Sequence, residues 1–274
     1  MTNDLEANLI DCSPESSESQ NNDVTQSNRK ITELEGEYTN SLKELSKIHE
    51  SQENWEDLIR CYKQLIAIKP KDISSYTKLA QLYKKRGESY KAIATYQDLI
   101  EIKPDSPASV YKELGNLLSQ KRDDAKAALQ AYRKAETLKE EWKPGFYIKI
   151  AELLVKQAEY EQAIEYANKA IAINPEMPYS HILVGNAFAK MKSFNEAIQS
   201  YTKAIQVKPD HFNAYKRIGD ILRQREELTT AARCYLKALQ INPKATHINR
   251  LLGDIFLKQG KSAEAQHYYK QADA

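Results

Sequence analysis

The side chains best suited to chemistry are scattered along this chain rather than gathered. The five histidines (His49, His181, His211, His247 and His267) lie far apart, and no pair has the spacing of metal ligands. Cys12, Cys61 and Cys234 form no C-x-x-C frame, which fits free thiols in a reducing compartment rather than a disulfide framework or a metal knuckle. The chain contains no Gly-rich dinucleotide fingerprint, no phosphate loop, no H-E-x-x-H and no G-x-S-x-G. The expectation is a protein without catalytic residues, without a metal and without a cofactor: not an enzyme. Charge is what remains. Lys and Arg number 40 against 38 Asp and Glu, a net +2, but the two signs are unevenly placed. Residues 1–38 hold nine acidic side chains against Arg29 and Lys30, so the rest of the chain carries 38 cations and 29 anions. That reads as an acidic tail on a mildly basic body. No aromatic–basic platform of the kind that stacks bases is present, so nucleic acid is not the expected partner.

The elements that must position these charges are helical. With 41% hydrophobic and 28% charged residues, only 8 Gly and 9 Pro, the chain is unlike a turn-rich β-sandwich. It has no run of 18 apolar residues, and its start (MTNDLEANLID) lacks the basic and apolar regions of a secretion signal. A soluble, cytoplasmic protein with no membrane contact is expected. Residues 1–30, rich in Ser, Asn, Gln and Glu, read as a disordered acidic tail. Within it Leu5, Leu9 and Ile10 form one small apolar cluster, which reads as incidental or as a short partner-binding motif. From Ile31 the pattern changes: Ile31, Leu34, Tyr38, Leu42, Leu45 and Ile48 recur at steps of three and four, and predict an amphipathic helix.

A longer period lies over this one. Pro70 and Pro104 are 34 residues apart, as are Pro175 and Pro209, and Pro209 and Pro243; Pro104 to Pro175 is 71. Residue types recur in step. Tyr76-x2-Leu79-Ala80-x2-Tyr83 is followed by Ala92-x3-Tyr96. His181-x2-Val184-Gly185-x2-Phe188 leads to Ala197-x3-Tyr201, and Tyr215-x2-Ile218-Gly219-x2-Leu222 to Ala231-x3-Tyr235. Asn249-x2-Leu252-Gly253-x2-Phe256 precedes Ala265-x3-Tyr269, and Tyr111-x2-Leu114-Gly115-x2-Leu118 precedes Ala128-x3-Tyr132. A fixed period of this length marks a repeat architecture in which each unit buries its face on the next. Small residues at one register let two helices approach closely, and proline ends each hairpin.

The pattern resembles the tetratricopeptide repeat family over about 39–274. The resemblance implies an all-α, right-handed solenoid of about seven stacked helix-turn-helix units, after the 1–30 tail. The units are 39–72, 73–106, 108–143, 144–177, 178–211, 212–245 and 246–274. The first, with Ser46 and Leu58 at small-residue positions, reads as an irregular cap. The third carries an extra residue in KRDDAKA and ends in EEWKPG, which predicts a local distortion. No further helix clearly follows the last unit, so its open face is expected to fray or to meet a partner subunit or another domain. His181 falls on a packing position.

In this family the first helix of each unit lines a concave groove. The groove positions here give an apolar centre of Ile148, Val155, Tyr179, Ile182 and Ala189. Lys84, Lys85, Lys112, Lys190, Lys216, Arg223, Arg250 and Lys258 flank it, and Asn116 and Asn186 stand where amides could bond a peptide backbone. Glu152, Asp220 and Asp254 interrupt the basic character. Some members hold chaperone C-termini in a two-carboxylate clamp. Lys112 and Asn116 match its first pair, but Lys149, Tyr179 and Leu183 stand where it needs Asn, Lys and Arg, so chaperone docking is not expected. The resemblance thus implies a non-enzymatic scaffold that binds a partner protein or peptide, an acidic one included. The alternative is a recognition module of a larger enzyme, a transferase for example, whose catalytic part is on another chain.

Overall fold

The computed structural model describes residues 14–120, 124–139 and 141–273. They form helices joined by short turns, with no strand among the described residues. The chain divides into two compact units, Met1–Val110 and Tyr111–Ala274.

The first unit holds α1 (Pro14–Ser51), α2 (Trp55–Ile68), α3 (Ile73–Lys85) and α4 (Ser89–Ile102). Residues 1–13, with the Leu5–Leu9 cluster, lie outside the described residues. Helix α1 reaches back into the stretch read as a tail, yet the side chains of residues 25–30 are all exposed. Once a helix is anchored, each added residue brings one backbone hydrogen bond, so a polar segment extends it without burying anything. The anchor is the other end of α1, where Thr39, Leu42 and Ser46 are buried and the helix packs on α2. The apolar stripe of α1 is an amphipathic helix face, as read, but little of it is covered. Leu42 is buried, but Ile31, Leu34, Tyr38, Leu45 and Ile48 are 43–57% exposed. The α1 surface that α2 leaves uncovered is therefore apolar. Between the two hairpins, Arg86 reaches Glu56 at 2.6 Å and Lys85 lies over the Trp55 ring.

The second unit contains α5 (Ala108–Leu118, whose first turn belongs to the preceding unit), α6 (Ala125–Thr137), α7 (Pro144–Lys156) and α8 (Tyr160–Ile173). There follow α9 (Pro178–Lys190), α10 (Phe194–Val207), α11 (Phe212–Gln224), α12 (Leu228–Ile241), α13 (Thr246–Lys258) and α14 (Ser262–Asp273). Odd and even helices pair as hairpins, and α8–α9, α10–α11 and α12–α13 join one hairpin to the next. A continuous core runs through the last three, with Ile182, Tyr201, Ile218, Leu222, Tyr235, Ile248, Leu252 and Ile255 all buried in it.

Six of the hairpins turn by the same device. Glu53, Gly87, Ala158, Lys192, Glu226 and Gly260 have φ between +54° and +77°, the left-handed region. The next residue's N–H then reaches back to a carbonyl five residues earlier: Glu159 to Leu154, Ser193 to Phe188, Glu227 to Leu222 and Lys261 to Phe256, each at 2.9 Å. This closes the last turn of the first helix and reverses the chain. Proline stands two residues after the end of α2, α4, α8, α10 and α12, which blocks their continuation.

Candidate functional site: the first-helix wall of the second unit

The glycines fix how close the two helices of a hairpin come. A Cβ on Gly185 would lie 2.6 Å from the Tyr201 ring, one on Gly219 2.8 Å from Tyr235, and one on Gly253 2.5 Å from Tyr269. The tyrosine of the second helix thus crosses the first helix over a bare backbone. Its hydroxyl then donates to the residue after the glycine: Tyr132 to Asn116, Tyr201 to Asn186, Tyr235 to Asp220 and Tyr269 to Asp254, each at 2.8 Å. Burial pushes the Tyr132 and Tyr201 phenols up to about 12 and, with the carboxylate of Asp220, raises Tyr235; Tyr269 is raised chiefly by its bond to Asp254. The fourth repeat has Ala151 and Ala167 in the glycine and tyrosine positions. There Glu152 accepts instead from Tyr179 of the next first helix, at 2.5 Å, and burial and that bond raise Tyr179 to about 12.

These bonds run along a wall of first helices. Lys149 of α7 reaches Asn116 of α5 at 2.6 Å, and α7 touches α9. The wall's candidate residues divide into three groups. Ile148 and Ile182 are only 7% and 4% exposed, and Ile182 belongs to the core cluster. The apolar centre expected there is corrected accordingly: the first helices stand close enough to bury these positions, and only Val155, Ala189 and Tyr179 (44% exposed) keep apolar surface open. Asn116 and Asn186 spend their carbonyl oxygens on tyrosines, and the Asn116 amide nitrogen donates to Glu113. Among the cations, Lys216 pairs with Asp220 at 2.8 Å, Arg250 with Asp273 at 3.2 Å and Lys258 with Glu226 at 3.2 Å. Lys190 and Arg223 are exposed, without an ion pair among the described residues.

The structure adds a feature at the irregular third repeat. Between α6 and α7, Lys139, Trp142 and Lys143 lie beside Lys112, Asn116, Gly145, Phe146 and Lys149, around an open basin of about 470 Å³. Trp142 stacks on Phe146 at 4.1 Å, and Lys139 lies 5.0 Å over the Trp142 ring. Lys112 is paired with Glu113 at 3.2 Å. Lys139, Lys143 and Lys149 are exposed and have no carboxylate partner among the described residues. Three uncompensated ammonium groups on one rim attract anions, and the stacked rings offer an apolar floor. The sequence pointed to Lys112 and Asn116 on the basin's edge and to the EEWKPG departure from the repeat; Lys149 was legible only as a mismatch to the clamp. No group of His, Cys, Asp and Glu that could hold a metal occurs among the described residues.

Comparison with known proteins agrees with this architecture. Family models described as TPR repeat match residues 185–221 and 219–260, and models described as tetratricopeptide repeat match 41–72, 61–94, 144–177 and 250–273. The chain belongs to the tetratricopeptide repeat family. Among solved structures it is similar to the C-terminal part of a TPR repeat-containing protein from Cytophaga hutchinsonii, with a TM-score of 0.66 and 17% identity over 84% of this chain and 93% of that one. It is also similar to YrrB, described as a TPR protein with an unusual peptide-binding site (TM-score 0.59, 21% identity, 68% of this chain and 95% of that one). MamA follows at 0.56, with 23% identity over 64% of this chain and 94% of that one. No curated protein matches the chain in sequence.

Proposed function

We propose that this protein is a non-enzymatic scaffold whose second unit holds a partner polypeptide on its first-helix wall, anchored in the basin between α5 and α7. The observation that carries the reading is the basin itself: Lys139, Lys143 and Lys149, with no carboxylate partner among the described residues, around the Trp142–Phe146 stack. A peptide with carboxylates for the rim and one apolar side chain for the floor complements both features. Asn186 supports it, since its amide nitrogen is left to bond a peptide carbonyl while its oxygen serves Tyr201. The peptide-binding site described for YrrB, which shares the architecture, also speaks for this use of the wall. No described helix is long and apolar enough to cross a membrane, and Cys61 and Cys234 are free thiols; a cytoplasmic setting belongs to the proposal.

The test is affinity capture from lysate with the wild-type chain beside a Lys139→Glu/Lys143→Glu/Lys149→Glu variant. All three side chains are exposed, so the helical signal should not change. The variant is expected to lose the acidic partners that the wild type retains, and added salt should release them from the wild type. An identical captured set would refute the assignment of the basin.

A further inference from the structure

Helix α1 runs for 38 residues, against 13 for α3, and none of its residues from 25 to 38 is buried. Its exposed apolar residues are not scattered. Ile31, Tyr38 and Leu45 are spaced by seven, and so are Leu34, Ser41 and Ile48, which are offset from them by three. All five large members of this seam are exposed. Elsewhere the exposed large hydrophobics are spread over several helices and turns, so the seam is a feature of α1 alone. A strict spacing of seven keeps a stripe facing a second helix over several turns, which is the requirement of a two-stranded coil. The buried residues Thr39, Leu42 and Ser46 point roughly a quarter turn away from it, so α2 leaves the seam open.

We propose that the seam is filled by the α1 seam of a second copy of this chain, in a parallel two-stranded coil with two-fold symmetry. Identical stripes match layer by layer: Ile31 on Ile31, Leu34 on Leu34, Tyr38 on Tyr38, Leu45 on Leu45 and Ile48 on Ile48 of the second copy. Charge selects the direction. In a parallel pair the flanking Lys30 of each helix meets Glu35 of the second copy, twice by symmetry. Neither Lys30 nor Glu35 has an ion pair among the described residues. An antiparallel pair would instead set Glu37 against Glu44 of the second copy, two like charges, with no attraction in return. Because the repeat body is attached about a quarter turn off the seam, the two bodies leave on opposite sides of the coil.

Light scattering on the size-excluded full chain tests this. The expected mass is twice the 31.4 kDa of one chain. Leu34→Glu/Tyr38→Glu, both at exposed positions, should weaken the dimer at least about a hundredfold while the helical signal of the repeats persists. In a chain with Cys12, Cys61 and Cys234 replaced by Ala, Ile31→Cys should oxidise to a covalent dimer, because only a parallel pair sets residue 31 against itself. A monomer at tens of micromolar, or a dimer that survives the double variant, would overturn the proposal. So would a dimer in which Ile31→Cys fails to cross-link.

Discussion

Replacing Gly185 by alanine probes the device that sets the spacing of each hairpin. The new Cβ would stand 2.6 Å from the Tyr201 ring, about 1 Å inside an ordinary carbon–carbon contact. Tyr201 is 1% exposed and tied to Asn186 by its hydroxyl, so the ring has little room to retreat. Overpacking of this kind costs about 1–3 kcal/mol, and a lost hydroxyl bond adds about 1 kcal/mol. Removing a mid-helix glycine returns about 0.5–1 kcal/mol. The balance is a loss of about 1–3 kcal/mol, which for a unit of this size lowers the melting temperature by roughly 3–10 °C. Thermal and urea unfolding followed by circular dichroism would read it. Gly145→Ala is the control: Gly145 lies in the first turn of α7 with nothing within 4 Å of its would-be Cβ, so stability should rise or stay level. Gly185→Ala as stable as Gly145→Ala would refute the close-approach argument.

Three further outcomes follow from the same geometry. Lys192→Gly, at φ +62°, should stabilise the hairpin of α9 and α10 by up to about 1 kcal/mol in urea unfolding, since a left-handed residue with a Cβ is strained. Ile182→Asp would bury a carboxylate in the core cluster and should cost about 3–5 kcal/mol, visible as a broad early unfolding transition rather than as a selective loss of binding. Raising the pH should leave stability level up to about 10 and then erode it between 10 and 12. Tyr132 and Tyr201 stay protonated when folded up to about 12, whereas the unfolded chain releases those protons from 10 onward. The loss is about 2–3 kcal/mol per fully buried phenol, and absorbance at alkaline pH should show these two ionising only on unfolding.

The architecture was legible because the repeat writes itself in residue types. Glycine faces tyrosine at a recurring offset and proline closes five of the hairpins, so period and helix pairing could be read without coordinates. The turn residues were not legible: Glu53, Ala158, Lys192 and Glu226 adopt a backbone that favours glycine, and the carbonyl bond made by the following residue holds them there. Burial on the first-helix wall was also out of reach. Ile148 and Lys216 share one register position, yet one is buried and the other reaches Asp220, because neighbouring helices decide it. In α1 the reverse happened. The periodic apolar stripe marked an amphipathic helix, but periodicity does not report what covers it. The basin was missed because Lys139, Trp142 and Lys143 lie in the one turn where the period breaks.

The most direct test of the partner-binding wall is site-specific photo-cross-linking. A photoreactive phenylalanine derivative is placed at position 149 on the basin rim and, separately, at position 203 on the exposed face of α10. A partner adduct is expected from position 149, lost when Lys139 and Lys143 are changed to Glu, and none from position 203. Adducts from position 203 alone would contradict it.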